Sequence, residues 1–429
     1  MRVMIYSQDG MGLGHLRRTS SIANHLLRLR DDVRVLAVCD TPVDQRFGPS
    51  ARYDRLKLPT IVKRAPGQWD AVALDDDVDM VLRLRSELLR TALLSYLPDL
   101  VLVDHMPHGA MGELVAGLEA LRAAKPAVRI VLGLRDIIDT PEVVRTRWAV
   151  EGAYDAIDRL YDRVLVYGSR DTYPLDDLYG FSPAVRARTV YCGYVVEPPS
   201  TADRVSARRA LLPDLAPERP LVAVLGGSGH DAAPIMACAS ACAAWPAPGD
   251  DWATVIVCGP NMPVSARHEL LAQLRPGSGW VLPSVDDTAL VLAAADAAVA
   301  MAGYNTTMEI VASGTPAVLI PRPGPSLEQR TRARIFAERG WVRMVDPDDL
   351  SPATLGRALR GALAGDGAVG PHQGWDLDGG DRSTPDLGGI EAAVAELLTM
   401  TRDRVEPATV AKSAWRPSDQ AAGDLVAQS

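Results

Sequence analysis

Short, unbroken apolar runs, each ending in a turn and giving way to a helix-like stretch, recur along this chain and leave few folds open. In the first half the runs are Arg2–Ser7, Val33–Cys39, Leu100–Asp104, Arg129–Leu134 and Arg163–Tyr167, with helical patterns such as Leu16–Leu29 and Asp79–Leu94 between them. Continuous Val/Leu/Ile runs, as opposed to alternating ones, suit parallel strands covered on both faces. A βαβ series of this kind predicts a doubly wound sheet. Thr189–Val195 reads as one more strand, and the stiff polar stretch Glu197-Pro198-Pro199-Ser200 then breaks the pattern. It restarts with Leu221–Leu225, Thr254–Cys258, Trp280–Leu282, Ala297–Met301, Ala317–Ile320 and Val342–Val345. The expected fold class is therefore α/β, with two Rossmann-like domains, residues 1–196 and 197–400, facing a shared cleft and hinged at the break. Residues 365–387, rich in Gly, Asp and Pro, read as a loop, Gly389–Met400 as an amphipathic helix, and residues 401–429 as a disordered polar tail.

The chain has 429 residues, 47% hydrophobic and 23% charged, enough for two sizeable cores. A net charge of −9 argues against nucleic acid as the main partner. The five cysteines are odd in number, and no His or Cys pair completes a zinc set around Cys238 and Cys242, so reduced thiols in a cytoplasmic protein are expected. Met1–Tyr6 reads as a strand, not a leader, and no run approaches the roughly 20 apolar residues of a membrane span. Membrane association is thus expected to be peripheral at most.

The segment Ala302-Gly303-Tyr304-Asn305-Thr306-Thr307-Met308-Glu309, followed by Ser313-Gly314-Thr315-Pro316 and a strand ending Ile320-Pro321-Arg322-Pro323, carries the strongest functional signal. A helix that starts in a Gly turn with Asn and two Thr offers free backbone N–H groups and hydroxyls to a diphosphate. Glu309, about one turn further on, is placed to accept from the two hydroxyls of a ribose. Strand–turn–helix units and Gly-Thr-Pro stops are common in any parallel α/β protein. Glu309 and Arg322 carry the argument because packing requires neither.

Other loops follow strand ends. Asp9-Gly10-Met11-Gly12-Leu13-Gly14-His15 places three glycines in front of a histidine at a helix start. Imidazoles ordinarily titrate near neutrality, so His15 can act as a base, or it can simply bond the backbone there. Asp9 and Asp104 are the carboxylate alternatives. Gly226-Gly227-Ser228-Gly229 is a second phosphate-binding candidate and should lie beside the Gly303 turn. Arg322, with Glu328 and Gln329 that open the helix after it, is a candidate for binding the hydroxyls of a sugar attached to the nucleotide. Asp104, His105, His108 and Arg135, with Gly12 and Gly14, are candidates for the second substrate's side. No Asp-x-Asp motif stands where it could hold a metal ion among these loops, so neither metal nor cofactor is expected.

These pieces together resemble a GT-B glycosyltransferase of the MurG type, most strongly in Ala302–Glu309, Gly314–Pro323 and Glu328-Gln329, with support from Gly226–Gly229 and Gly12–His15. The resemblance implies inverting transfer of a hexosyl group from a nucleoside-diphosphate sugar, UDP-linked in most of the family, to a small-molecule or lipid-linked acceptor. It implies that residues 197–400 hold the donor and residues 1–196 the acceptor. Glu309 would bind the ribose, Gly227, Ser228, Thr306 and Thr307 would surround the diphosphate, Glu328 and Gln329 would face the donor sugar, and His15 would stand near the reacting carbon. The chain departs from the MurG pattern in having Glu328-Gln329 for His-Gln and Gly-Met-Gly-Leu-Gly-His for Gly-Gly-Thr-Gly-Gly-His. Gly12–Arg18 is closer to the Gly-x-Gly-His-x-x-Arg of PseG, a UDP-sugar hydrolase of the same fold. A hydrolase or epimerase, and a non-catalytic nucleotide-sugar-binding protein, are the alternative readings.

Overall fold

The structure, a computed structural model, describes residues 1–10, 12–41, 51–65, 68–72, 74, 77–229, 231–244, 251–365 and 385–402. Most of the expected 365–387 loop, the tail beyond residue 402, and Met11 and His230 of two candidate loops lie outside these residues.

In the first half, β1 (Arg2–Tyr6), β2 (Arg34–Cys39), β3 (Tyr53–Lys57), β6 (Leu100–Asp104), β7 (Arg129–Arg135), β8 (Arg163–Tyr167) and β9 (Thr189–Tyr191) form a seven-stranded sheet in the order β3-β2-β1-β6-β7-β8-β9. Every pairing in it is parallel. A short antiparallel hairpin, β4 (Ile61–Ala65) and β5 (Gln68–Ala71), stands apart from it. In the second half, β10 (Leu221–Leu225), β11 (Ala253–Val257), β12 (Gly279–Leu282), β13 (Ala297–Ala300), β14 (Ala317–Leu319) and β15 (Arg343–Met344) form a six-stranded parallel sheet, β12-β11-β10-β13-β14-β15. The central strands LVLVD and LVAVL are buried at every position, as an apolar run without alternation requires when helices cover both faces.

Strand order reverses direction between β1 and β6 in the first sheet and between β10 and β13 in the second. At such switch points neighbouring connections leave toward opposite faces, which opens a crevice at the carboxyl ends of the strands. His15 follows β1, Asp104 ends β6, Gly226 follows β10 and Gly303 follows β13. The candidate loops therefore occupy the two crevices that this topology creates.

One boundary is corrected. The helix Gly389–Arg402, expected with the second domain, returns to the first: Arg129 Nε donates to the Met400 carbonyl (3.3 Å) and Arg163 pairs with Glu396 (2.9 Å). Its apolar stripe, Ile390, Ala393, Val394 and Leu397, joins the core that includes Ile22 and Leu26 of the helix Gly14–Leu29. Burial of that stripe outweighs proximity in sequence. Among the described residues no helix is long and apolar enough to cross a membrane.

Candidate active site

The loop after β1 turns at Gly10, whose φ of +56° suits glycine alone at low cost, while the Asp9 and Gly10 N–H groups donate to Asp40 Oδ1 (3.0 and 3.1 Å). This aims the Asp9 carboxylate at the helix that follows: it accepts from the N–H groups of His15 (2.9 Å) and Leu16 (2.6 Å). Asp9, expected as an alternative base, is instead the helix's N-terminal acceptor, with both oxygens engaged by backbone. Burial raises its carboxyl from the usual range, and His15 partly offsets this.

His15 Nδ1 lies 2.5 Å from Asp104 Oδ2, and Arg18, one turn along, grips the same carboxylate through Nη2 (2.6 Å) and Nε (3.2 Å). Burial alone would raise the Asp104 carboxyl, but Arg18 and then His15 hold it below the usual value, so it is an ionised acceptor. An ionised carboxylate only accepts, so the bond to Asp104 needs Nδ1 as its donor; Arg18 Nη2 also stands 3.0 Å from that nitrogen, and Nε2 is the ring nitrogen turned away from both. Asp104 is therefore the orienting partner of His15, as in a nucleophile-activating dyad, and not itself a free base.

His105 has its ring centroid 4.9 Å from that of His15 and a backbone φ of +72°, unusual for a residue with a Cβ. Its Nδ1 is buried without a hydrogen-bond partner, and burial, with Arg135 and His15 beside it, keeps the ring neutral by pushing its pKa well down. His108 does not face the crevice as expected. It is buried, with Nδ1 2.6 Å from the Gly109 carbonyl and Nε2 3.7 Å from Glu151.

On the second domain, the helix Tyr304–Ser313 starts at Gly303 with no side-chain cap and no acidic residue in its first turn, which leaves its N-terminal N–H groups open to an anion. The Gly226–Gly229 loop lies beside it as expected: a Cβ on Gly227 would come within 3.9 Å of Thr306 Oγ1. Gly226 and Gly229 admit no side chain, since a Cβ would stand 2.5 and 2.6 Å from the Cys258 carbonyl. Arg322 reaches the Asp231 end of this loop (3.5 Å). Thr306 remains partly open, but Thr307, one residue and so about 100° further round the helix, is fully buried with an unpartnered Oγ1. It cannot touch a diphosphate in this arrangement.

Glu328 and Gln329 are also corrected. Glu328 is buried and bonds Arg332 Nη1 (2.9 Å) and Arg135 Nη2 (2.8 Å), and Gln329 Oε1 folds back onto the Arg322 N–H (3.1 Å). A carboxylate beside two guanidinium groups is held below its usual value despite burial and serves as their counter-ion, not as an open acceptor for a sugar.

The two crevices meet. Asn305 Nδ2 donates to the Gly14 carbonyl (3.0 Å), and Arg17 pairs with Glu309. Fully buried Arg332 binds Asp136 in bidentate fashion (2.9 and 2.6 Å) as well as the Ala302 carbonyl (2.8 Å). Tyr304 lies between Arg18 and Arg332, whose guanidinium carbons stand 5.3 and 5.6 Å from its ring centroid. Its hydroxyl donates to the Tyr167 carbonyl (3.0 Å) and accepts from Val195 N–H (2.9 Å). Sequence reasoning overlooked Arg17 and Tyr304. The only available signal was their position, beside His15 and Gly303 in the two loops already singled out.

Two doubly wound domains with facing crevices define the GT-B fold, and comparison with known proteins agrees. Residues 221–366 match the family described as Glycosyltransferase family 28 C-terminal domain. A UDP-N-acetylglucosamine–N-acetylmuramyl-(pentapeptide) pyrophosphoryl-undecaprenol N-acetylglucosamine transferase of Corynebacterium efficiens is 34% identical over 94 residues, 22% of this chain and 26% of that protein. A Mycobacterium sp. protein of the same name is 42% identical over 71 residues, 17% of this chain and 19% of its own. The match thus spans about a quarter or less of these relatives. Whole-chain likeness comes from structure. MurG of Acinetobacter baumannii superposes with a TM-score of 0.56 at 16% identity, covering 93% of this chain and 99% of its own. The calicheamicin glycosyltransferase CalG4 does so at 0.58 and 18%, covering 95% and 100%. The chain thus has the GT-B fold, and the family match lies in its second domain.

Proposed function

We propose that the protein is an inverting glycosyltransferase that moves a hexosyl group from a nucleoside-diphosphate sugar, UDP-linked, to the hydroxyl of a small-molecule or lipid-linked acceptor. The observation that carries this reading is the Asp104-oriented His15 in the first crevice, facing an uncapped helix N-terminus flanked by the Gly226–Gly229 loop in the second. His15 Nε2 takes the acceptor's proton as its oxygen attacks the anomeric carbon from the face opposite the leaving group. The bond from that carbon to the diphosphate oxygen breaks, and the oxygen keeps the electron pair. N–H groups at Gly303–Thr306 and of Gly227 and Ser228, with Arg322, stabilise the departing charge; the Gly226 and Gly229 N–H groups are engaged by the Val257 and Gly226 carbonyls. Asp104 stabilises the imidazolium that forms. Glu309 holds the ribose, and any contact with a membrane is peripheral.

A second reading, a nucleotide-sugar hydrolase, draws on the Gly-x-Gly-His-x-x-Arg spacing at Gly12–Arg18, where Arg18 anchors the His15 partner. Both are tested by following UDP release from UDP-sugars with and without a mixture of acceptors. Acceptor-dependent release that His15→Ala lowers about 10²–10⁴-fold is expected. Rapid stoichiometric release with water alone would replace transfer by hydrolysis, and UDP binding without turnover would leave only a binding protein.

A further inference from the structure

Arg17 and Glu309 occupy each other across the domain junction, and this conflicts with a ribose on Glu309 unless Arg17 moves. Arg17 lies in the first turn of the helix Gly14–Leu29, its side chain one-third exposed, while the Glu309 side chain is 11% exposed. One Glu309 oxygen faces Arg17, and the other, Oε2, is buried without a hydrogen-bond partner. Burial raises the carboxyl, and Arg17 is the main group holding it back. Thr306 and Asn305 precede Glu309 by three and four residues, so all three share one helix face. Asn305 also touches Gly14, so the helix that bears Arg17 stands over the open N–H end of the helix that bears Glu309. Only about one helical turn, about 5.4 Å, separates Glu309 from those N–H groups, a distance an arginine side chain covers by turning about its own bonds.

We propose that Arg17 is a donor-binding residue of the first domain, paired with Glu309 in the free protein and transferred to the nucleotide's diphosphate when ribose hydroxyls take the carboxylate. The exchange keeps both buried-edge charges partnered: Glu309 gains two hydroxyl donors, and the guanidinium fork gains phosphate oxygens suited to its geometry. Arg17 thus bridges the two domains in both states, to Glu309 without the donor and to the diphosphate with it. The proposal rests on the nucleotide-sugar reading above.

Calorimetric titration of the full chain with UDP and with uridine tests it, using wild type, Arg17→Ala and Arg17→Gln, each checked for folding by thermal melting. Loss of Arg17 should weaken UDP by about 10–100-fold, the scale of hydrogen bonds to a charged group. Uridine, which has no diphosphate and competes with Arg17 for Glu309, should bind as well as before or more tightly. Equal weakening of both ligands would show that Arg17 only holds the two helices together, and unchanged UDP affinity would remove it from the site. Both results overturn the proposal. Arg17→Gln keeps a polar hydrogen-bonding side chain, two atoms shorter, without the charge, and decides the matter if Arg17→Ala fails to fold. A wild type that binds neither ligand would refute the nucleotide reading itself, whereas wild-type UDP binding matched by both variants would refute only the role of Arg17.

Discussion

At the scale of single residues, the site depends on charges that are buried but never alone. Asp104 is 1% exposed and Arg18 3%, and each has the other as its main partner. Asp104→Asn leaves Arg18 facing a neutral amide and frees His15 to adopt the other tautomer. The variant should lose about 10²–10⁴-fold in kcat, as orienting carboxylates do, with little change in donor KM. Its stability should fall by about 3–5 kcal/mol, the usual cost of removing one partner of a buried ion pair. Steady-state kinetics beside a urea titration check both. His15 stood out in the sequence because a histidine after three glycines at a strand end has few packing duties. The role of Asp104 was less legible: it was only one of several polar residues at strand ends, and the fold alone brings residues 15 and 104 together. The burial of Thr307, Glu328 and Gln329 was hidden for a similar reason, because the direction of a helix face depends on what packs against it.

Among the elements, the strands were the most legible. Leu100–Asp104, Arg163–Tyr167 and Leu221–Leu225 form with the limits their apolar runs predict. The sheet edges were not. Tyr53–Lys57 and the hairpin Ile61–Ala71 are short or polar, with little apolar pattern to read, and Thr189–Val195 pairs only as far as Tyr191 because its later residues leave the sheet for the domain junction. The phosphate-binding elements depend on backbone approach. A Cβ at Gly226 would stand 2.2 Å from Met236 Cε and 2.5 Å from the Cys258 carbonyl; the methionine can yield, but the carbonyl cannot. Gly226→Ala should therefore cost about 1–3 kcal/mol, as overpacking does, and shift the loop away from Thr306. Melting with and without UDP checks this: the variant should melt lower and gain less from the nucleotide than wild type.

The whole molecule is held closed by polar contacts across the junction, of which Arg332 is the centre. It is fully buried and joins Asp136 of the first domain to Glu328 and the Ala302 carbonyl of the second. Arg332→Ala leaves Asp136 without its bidentate partner and should destabilise the chain by about 3–5 kcal/mol, read as a lower urea midpoint. Acid should act on the same contacts. Asp104 and Glu328 are held below their usual values in the fold, so each binds a proton less readily folded than unfolded. Their contribution is complete above the ordinary carboxylate range, near pH 4, and is lost as pH falls through and below it. Melting temperature should thus drop steeply with acidification in wild type and less steeply in Arg332→Ala, where Arg135 still holds Glu328 but the share due to Arg332 is gone.

On the proposed function, a nucleoside diphosphate binds between the Gly226–Gly229 loop and the uncapped start of the Tyr304–Ser313 helix. Hydrogen exchange of the full chain with and without UDP tests it most directly. Amides of Gly227, Ser228 and Tyr304–Thr306 should exchange more slowly once UDP is bound, together with those of the first turn of the Gly14–Leu29 helix as Arg17 turns to the diphosphate. Saturation with UDP that leaves both segments unprotected while protecting residues elsewhere would contradict it.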